Sequence, residues 1–141
     1  MREILFRGKR IDNGEWVEGC YAECNGKTFI GIDISISIDE FEVFCTPIIR
    51  WIEVDLETLC QFTGLCDKNG KRIWENDVVW LVYDGKEHIY QIIWDNSELD
   101  FKATNGEENY GSNFEYLLCC DEIEVIGNIF DNKELLQEVQ K

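Results

Sequence analysis

Proline and histidine are nearly missing from this chain, and so is every long apolar run. The one proline, Pro47, marks an edge or the end of a strand, because it has no N–H to give to a sheet ladder. The one histidine, His88, lies just past the Asp84-Gly85 turn with no serine or cysteine nucleophile motif near it. It completes no triad and reads as a strand residue. No apolar stretch approaches the roughly 20 residues of a membrane-spanning helix. Ile4-Leu5-Phe6 is cut short at Arg7, so no secretory signal is read there. These absences point to a cytoplasmic protein with no membrane partner. The glycines Gly64 and Gly70 belong to a hairpin rather than to a strand, loop and helix, which excludes a phosphate-binding loop.

Basic side chains are scarce as well. Thirteen lysines and arginines face 29 aspartates and glutamates, for a formal charge of −16. Residues 1–56 carry 6 basic and 11 acidic groups and residues 57–141 carry 7 and 18, so the second half is the acidic one. From Asp95 to Glu124, nine carboxylates stand against the single Lys102. Direct nucleic-acid binding is not expected, because neutralising phosphates takes clustered Lys and Arg. The first ten residues run the other way, with Arg2, Arg7, Lys9 and Arg10 against Glu3. A basic start and an acidic second half suit attraction within one chain or between copies.

Cysteine is plentiful, with seven scattered through apolar segments. An odd number without a secretory signal argues against a disulfide framework. Cys20-x3-Cys24 and Cys60-x5-Cys66 are the spacings from which a four-sulfur zinc site would be assembled, but neither is a tight Cys-x2-Cys knuckle. Buried reduced thiols are the reading, and no metal or cofactor is expected.

The length of 141 residues with 45% hydrophobic content suits one globular domain or two small barrels sharing a boundary. Turn dipeptides Asn13-Gly14, Asn25-Gly26, Asn69-Gly70, Asp84-Gly85 and Asn105-Gly106 separate alternating, β-branched and aromatic stretches, the pattern of antiparallel hairpins. Strands are expected at Arg2–Ile11, Glu15–Glu23, Lys27–Ile38, Phe41–Cys45, Val78–Tyr83 and Glu87–Trp94, and Ile48–Val54 is apolar with Arg50 and Glu53 intruding. Between Ile30 and Ile38, isoleucine takes every second position, as in a half-buried strand. Asp55–Cys60 suits a helical turn with acid near its N-terminus. The chain ends in a strand and a short helix capped at Asp131 or Asn132. The fold expected is mainly β: an N-terminal antiparallel region (1–56), a connecting hairpin (57–76), a small SH3-like barrel (77–131) and a C-terminal helix (132–141).

The most particular stretch runs Gln61-Phe62-Thr63-Gly64-Leu65-Cys66-Asp67-Lys68-Asn69-Gly70-Lys71-Arg72-Ile73-Trp74-Glu75-Asn76-Asp77-Val78-Val79. It resembles the central signature of the YopX family. Two further islands carry the likeness: Arg2 to Ile11 with the Asp12-Asn13-Gly14-Glu15-Trp16-Val17 turn, and Gly127-Asn128-Ile129-Phe130-Asp131. The sequence departs from the family pattern at Cys60 and Asn76, where glycine is more usual, and at Lys133, where proline often follows. Asn76 tolerates the left-handed conformation that glycine would supply. The resemblance implies phage or prophage origin, action inside the infected bacterium and a multimeric assembly. It brings no catalytic residues.

Three functions follow as expectations. The first is a non-enzymatic accessory protein acting through contacts with itself, as a homo-oligomer, or with a host or phage protein. Its contact residues are Asp67, Asn69, Trp74, Glu75 and Asp77 from the signature, with Arg7, Lys9 and Arg10 as a basic counterpart. The second is an acidic DNA mimic built on the carboxylates between Asp95 and Glu124. The third is a metal-dependent enzyme at Glu75 and Asp77, whose spacing puts two carboxylates on one side of an extended segment; the plainer reading of Glu75-Asn76-Asp77 is a solvated turn entering a strand. Exposed rings among Trp16, Trp51, Trp74, Trp80, Trp94, Tyr83 and Tyr90 would suit a peptide-gripping groove, although most tryptophans in a small β-domain are core.

Overall fold

The structure, a computed structural model, describes residues 3–34, 48–106 and 114–137. The chain divides into two compact units, Met1–Gln61 and Phe62–Lys141.

The first unit is an antiparallel sheet of β1 (Phe6–Lys9), β2 (Trp16–Cys24), β3 (Lys27–Asp33) and β4 (Ile49–Val54), ordered β4-β3-β2-β1. Cys60 and Gln61, the first residues of β5 (Cys60–Cys66), pair with Arg7 and Phe6 of β1. Asn25 and Gly26 join β2 to β3 with φ of 53° and 75°, the paired positive values of a type I′ turn. Beyond β1 the chain reaches the end of β4: Arg10 bridges Val54, Ile11 N–H donates to Glu53 at 3.2 Å and Asp55 N–H to Lys9 at 2.8 Å. Gly8 makes this approach possible, since a Cβ there would stand 2.9 Å from Val54 Cγ2. Ile30, Ile52, Val54 and Cys60 are buried. The alternating isoleucines run from buried Ile30 to half-buried Ile32 and exposed Ile34; Ile36, Ile38 and the strand expected at Phe41–Cys45 lie outside the described residues. The helical turn expected after β4 is a 3-10 turn at Leu56–Thr58, with the Asp55 carboxylate accepting from Glu57 N–H.

The second unit takes up the rest of β5, which pairs with β6 (Arg72–Trp74). A five-stranded antiparallel sheet follows: β7 (Asp77–Tyr83), β8 (Lys86–Asp95), β9 (Asp100–Thr104), β10 (Phe114–Tyr116) and β11 (Glu122–Asn128), ordered β10-β9-β8-β7-β11. The mainly β fold is as expected, but the SH3-like barrel is not: β10 and β11 are the two edges of this sheet, and no closed barrel forms among the described residues. Closure would need the outer edge of β11, and the signature hairpin already occupies it. Lys68 N–H donates to Ile123 O at 3.0 Å, and the Asp67 carboxylate accepts Val125 N–H at 2.9 Å.

The core of this unit joins Ile73 to Val79, Leu81, Tyr90, Ile92, Phe101, Ala103 and Leu117. These positions alternate along their strands, as one sheet face requires. The C-terminal helix is α1 (Glu134–Gln137), entered through a turn held by Asn128, whose side-chain oxygen accepts from Phe130 and Asp131 N–H. Gly127 leaves room there for Asn132, whose Oδ1 would lie 2.6 Å from an added Cβ.

Candidate interaction surface

Asp67 is the centre of the signature hairpin. Its side chain is buried, with Oδ1 accepting from Asn69 and Lys71 N–H, both at 2.9 Å, and Oδ2 accepting from Val125 N–H at 2.9 Å. Burial pushes its pKa up, but three backbone donors outweigh that and hold it below the usual carboxylate value. Gly70 takes φ of 82° to close the turn. Asn69 reaches Glu124 at 3.4 Å from its side-chain nitrogen. Lys68 lies 3.7 Å from Glu124 and 4.9 Å above the Trp80 ring.

Trp74 is buried with its ring 5.5 Å from Phe62, and its N–H donates to the buried Asp77 carboxylate at 2.8 Å. Between them Asn76 stands at φ 71°, so Glu75-Asn76-Asp77 is a turn and not the extended segment that would align two carboxylates. Asp77 is 1% exposed and accepts a backbone bond inside the protein, while Glu75 is half-buried. Among the described residues no group of three or more His, Cys, Asp or Glu side chains is gathered in a metal-holding arrangement. Cys20, Cys24, Cys60, Cys66, Cys119 and Cys120 are all outside disulfides, and of these only Cys60 is buried.

The three basic residues of the N-terminal strand are engaged within their own unit. Arg7 and Lys9 lie 4.5 and 5.4 Å from the centre of the Trp16 ring, to which cations are attracted. Arg10 clamps Asp12 through two bonds of 2.9 and 2.7 Å. Of the remaining tryptophans, Trp51 on β4 is 48% exposed, Trp94 is at the margin of exposure and Trp80 is half-buried beneath Lys68.

Beside the signature hairpin, in the second unit, lies a groove of about 330 Å³. Its floor is Leu65, Ile73 and Leu117, and Leu118 stands at its lip, 83% exposed. Asp121 and Glu122 line its other side and are both exposed. The sequence gives no direct sign of this groove, because Leu117 and Leu118 belong to a 3-10 turn (Leu117–Cys119) with no periodic pattern.

A second arrangement was only half legible. Lys102, the lone cation of the acidic run, is 1% exposed and bonds Asp95 at 2.8 Å and Glu98 at 3.3 Å. Tyr116 O–H donates to Glu98 at 2.6 Å. Bonds from Lys102 and Ser97 hold Asp95 far below the ordinary carboxylate value. The isolation of Lys102 among carboxylates was the available signal.

The profile of the YopX protein family matches residues 5–137. The chain belongs to the YopX family. Among curated proteins none matches the sequence. Of solved structures, the crystal structure of protein EF1440 from Enterococcus faecalis is similar, with a TM-score of 0.54 and 21% identity over 96% of this chain and 99% of that one. That likeness concerns the fold. In this YopX chain the signature is spent on architecture: Asp67, Gly70, Trp74, Asn76 and Asp77 set turns, fill the interior and close the edge of β11. Among the described residues no helix is long and apolar enough to cross a membrane.

Proposed function

We propose that this YopX protein is a non-enzymatic accessory protein, of phage or prophage origin and acting in the bacterial cytoplasm, that works through protein contacts and assembles with copies of itself. The observation that carries the reading is the contrast between its inside and its outside. The Asp67 and Asp77 carboxylates of the signature are buried and bound by backbone N–H groups, while apolar side chains stand exposed at the sheet edge β4, where Ile49 is 43% and Trp51 48% exposed. Among the described residues the outer edge of β4 pairs only near Val54, and an edge strand with outward apolar groups is a template for a second strand. Gly31 opposite Trp51 supports the same face: Cys20, Ile49 and Trp51 converge so closely over it that any Cβ would stand within 2.9 Å of each.

DNA mimicry finds less support. Asp95 and Glu98 turn onto Lys102, Glu115 is buried and Glu124 faces Lys68, which takes four of the nine carboxylates out of a row that would imitate phosphates. Glu107 and Glu108 lie outside the described residues.

Light scattering over a wide concentration range tests the reading. A mass that rises above that of one 16.6 kDa chain, and falls back to it in Trp51→Lys, is the expected result. A single-chain mass throughout refutes assembly.

A further inference from the structure

We infer that the groove beside the signature hairpin receives a peptide segment carrying an apolar anchor side chain flanked by lysine or arginine. The inference rests on the reading of the protein as one that works by contacts, and adds the chemistry of a partner. The floor of Leu65, Ile73 and Leu117 asks for an apolar group, and Leu118, 83% exposed at the lip, has nothing to cover it among the described residues. Charge selects what flanks that group. Asp121 and Glu122 are exposed on the rim with no ion-pair partner among the described residues. Lys68, the one cation of the lining, is drawn off by Glu124 at 3.7 Å and by the Trp80 ring at 4.9 Å. The Asp67 carboxylate is consumed by three backbone donors. What faces outward is therefore two carboxylates beside an apolar floor, which attracts cationic neighbours and repels acidic ones.

The mode of binding is limited too. Ile123 O and Val125 N–H, which would pair with an added strand, are taken by Lys68 N–H and Asp67. Recognition rests on side chains entering the groove, not on extension of the sheet.

The test titrates the full-length protein with labelled synthetic peptides that carry leucine, isoleucine, methionine or phenylalanine between lysines. Two comparison peptides replace the apolar residue by glycine or the lysines by glutamate. Fluorescence anisotropy is expected to show binding on the order of 100 µM for at least one lysine-flanked apolar peptide. Leu118→Glu, and separately Asp121→Asn with Glu122→Gln, should each weaken it at least fivefold. Glu87→Gln with Glu134→Gln makes the same charge change outside the groove and should leave it unaltered. Absence of binding by the whole lysine-flanked set overturns the inference, as does equal binding of the glycine peptide or equal weakening by the Glu87 and Glu134 pair. Self-association abolished by Leu118→Glu without peptide binding places a second copy in the groove and also overturns it. Scattering mass is read separately, so a single-chain protein that binds the peptide keeps this inference and loses the assembly.

Discussion

Asp67 shows how one side chain can hold a signature together. A carboxylate with three backbone N–H partners replaces water that those donors would otherwise need, and leaving a buried donor unsatisfied costs about 1–3 kcal/mol. Asp67→Asn keeps the shape but turns an amino group toward one of the donors. Urea unfolding is expected to show a loss of about 2 kcal/mol or more. Because the folded pKa of Asp67 lies below its ordinary value, its contribution is present above that ordinary value and fades as pH falls through the folded one. Glu115 has the opposite sign. It lies on the core face opposite Ala103, burial raises its pKa and the charge of nearby His88 only partly offsets this. His88 stacks on Tyr90 at 4.8 Å, and Cys120, whose thiol is pushed up to about 11 by burial and then by Glu115, adds no compensating charge. The folded protein thus favours protonated Glu115, and wild-type stability gains as pH falls through that raised value. Glu115→Gln should raise the melting temperature at about pH 8, with the gain shrinking toward pH ~4. Sequence reading picked out Asp67 as part of a signature but assigned it to outward contacts. Its burial depends on β11, 58 residues away, and local pattern carries no trace of such a partner.

At the scale of elements, turn chemistry was the most legible feature. Asn25-Gly26 and Asp84-Gly85 form turns with both residues at positive φ, whereas at Asn13-Gly14, Asn69-Gly70 and Asn105-Gly106 only the glycine takes it. At Asn69-Gly70 the Asp67 carboxylate accepts from the N–H groups of Asn69 and Lys71. β2 at Trp16–Cys24 and β8 at Lys86–Asp95 fall close to the strands expected at Glu15–Glu23 and Glu87–Trp94, whereas β1 keeps only Phe6–Lys9 of the expected Arg2–Ile11. Barrel closure was not legible, because it depends on which edges meet, and the signature hairpin covers the edge of β11. The loop from β8 to β9 was missed as an element: Leu99 takes φ of 55°, and Asp95 and Glu98 wrap buried Lys102. Both carboxylates have lowered pKa values, Asp95 first through Lys102 and Glu98 first through Tyr116. Their contribution is present above the ordinary carboxylate value and lost as pH falls through the folded ones. Lys102→Met should lower the urea midpoint at about pH 7 far more than Lys27→Met, whose exposed pair with Glu53 spans 4.0 Å and is worth about 0–1 kcal/mol. The acid-side slope of stability should flatten in the Lys102 variant.

For the molecule as a whole, composition spoke to charge more than to function. The excess of acid disfavoured nucleic acid, and the structure shows part of that excess drawn onto buried Lys102. The basic start of the chain, expected as a counterpart surface, is largely occupied by Trp16 and Asp12. Apolar groups also stand outside: Ile49 and Trp51 on β4 in the first unit, and Leu118 at the groove lip in the second. Residue patterns reached the family and the mainly β fold class but stopped short of a task, because an exposed surface carries no local pattern that names what it meets. Hydrogen–deuterium exchange of the full chain, compared at low and high protein concentration, tests the contact reading most directly. Slower exchange confined to the peptide containing Ile49 to Ile52 as concentration rises, and lost in Trp51→Lys, is the expected result. Exchange of that peptide that is fast and identical at both concentrations would contradict it.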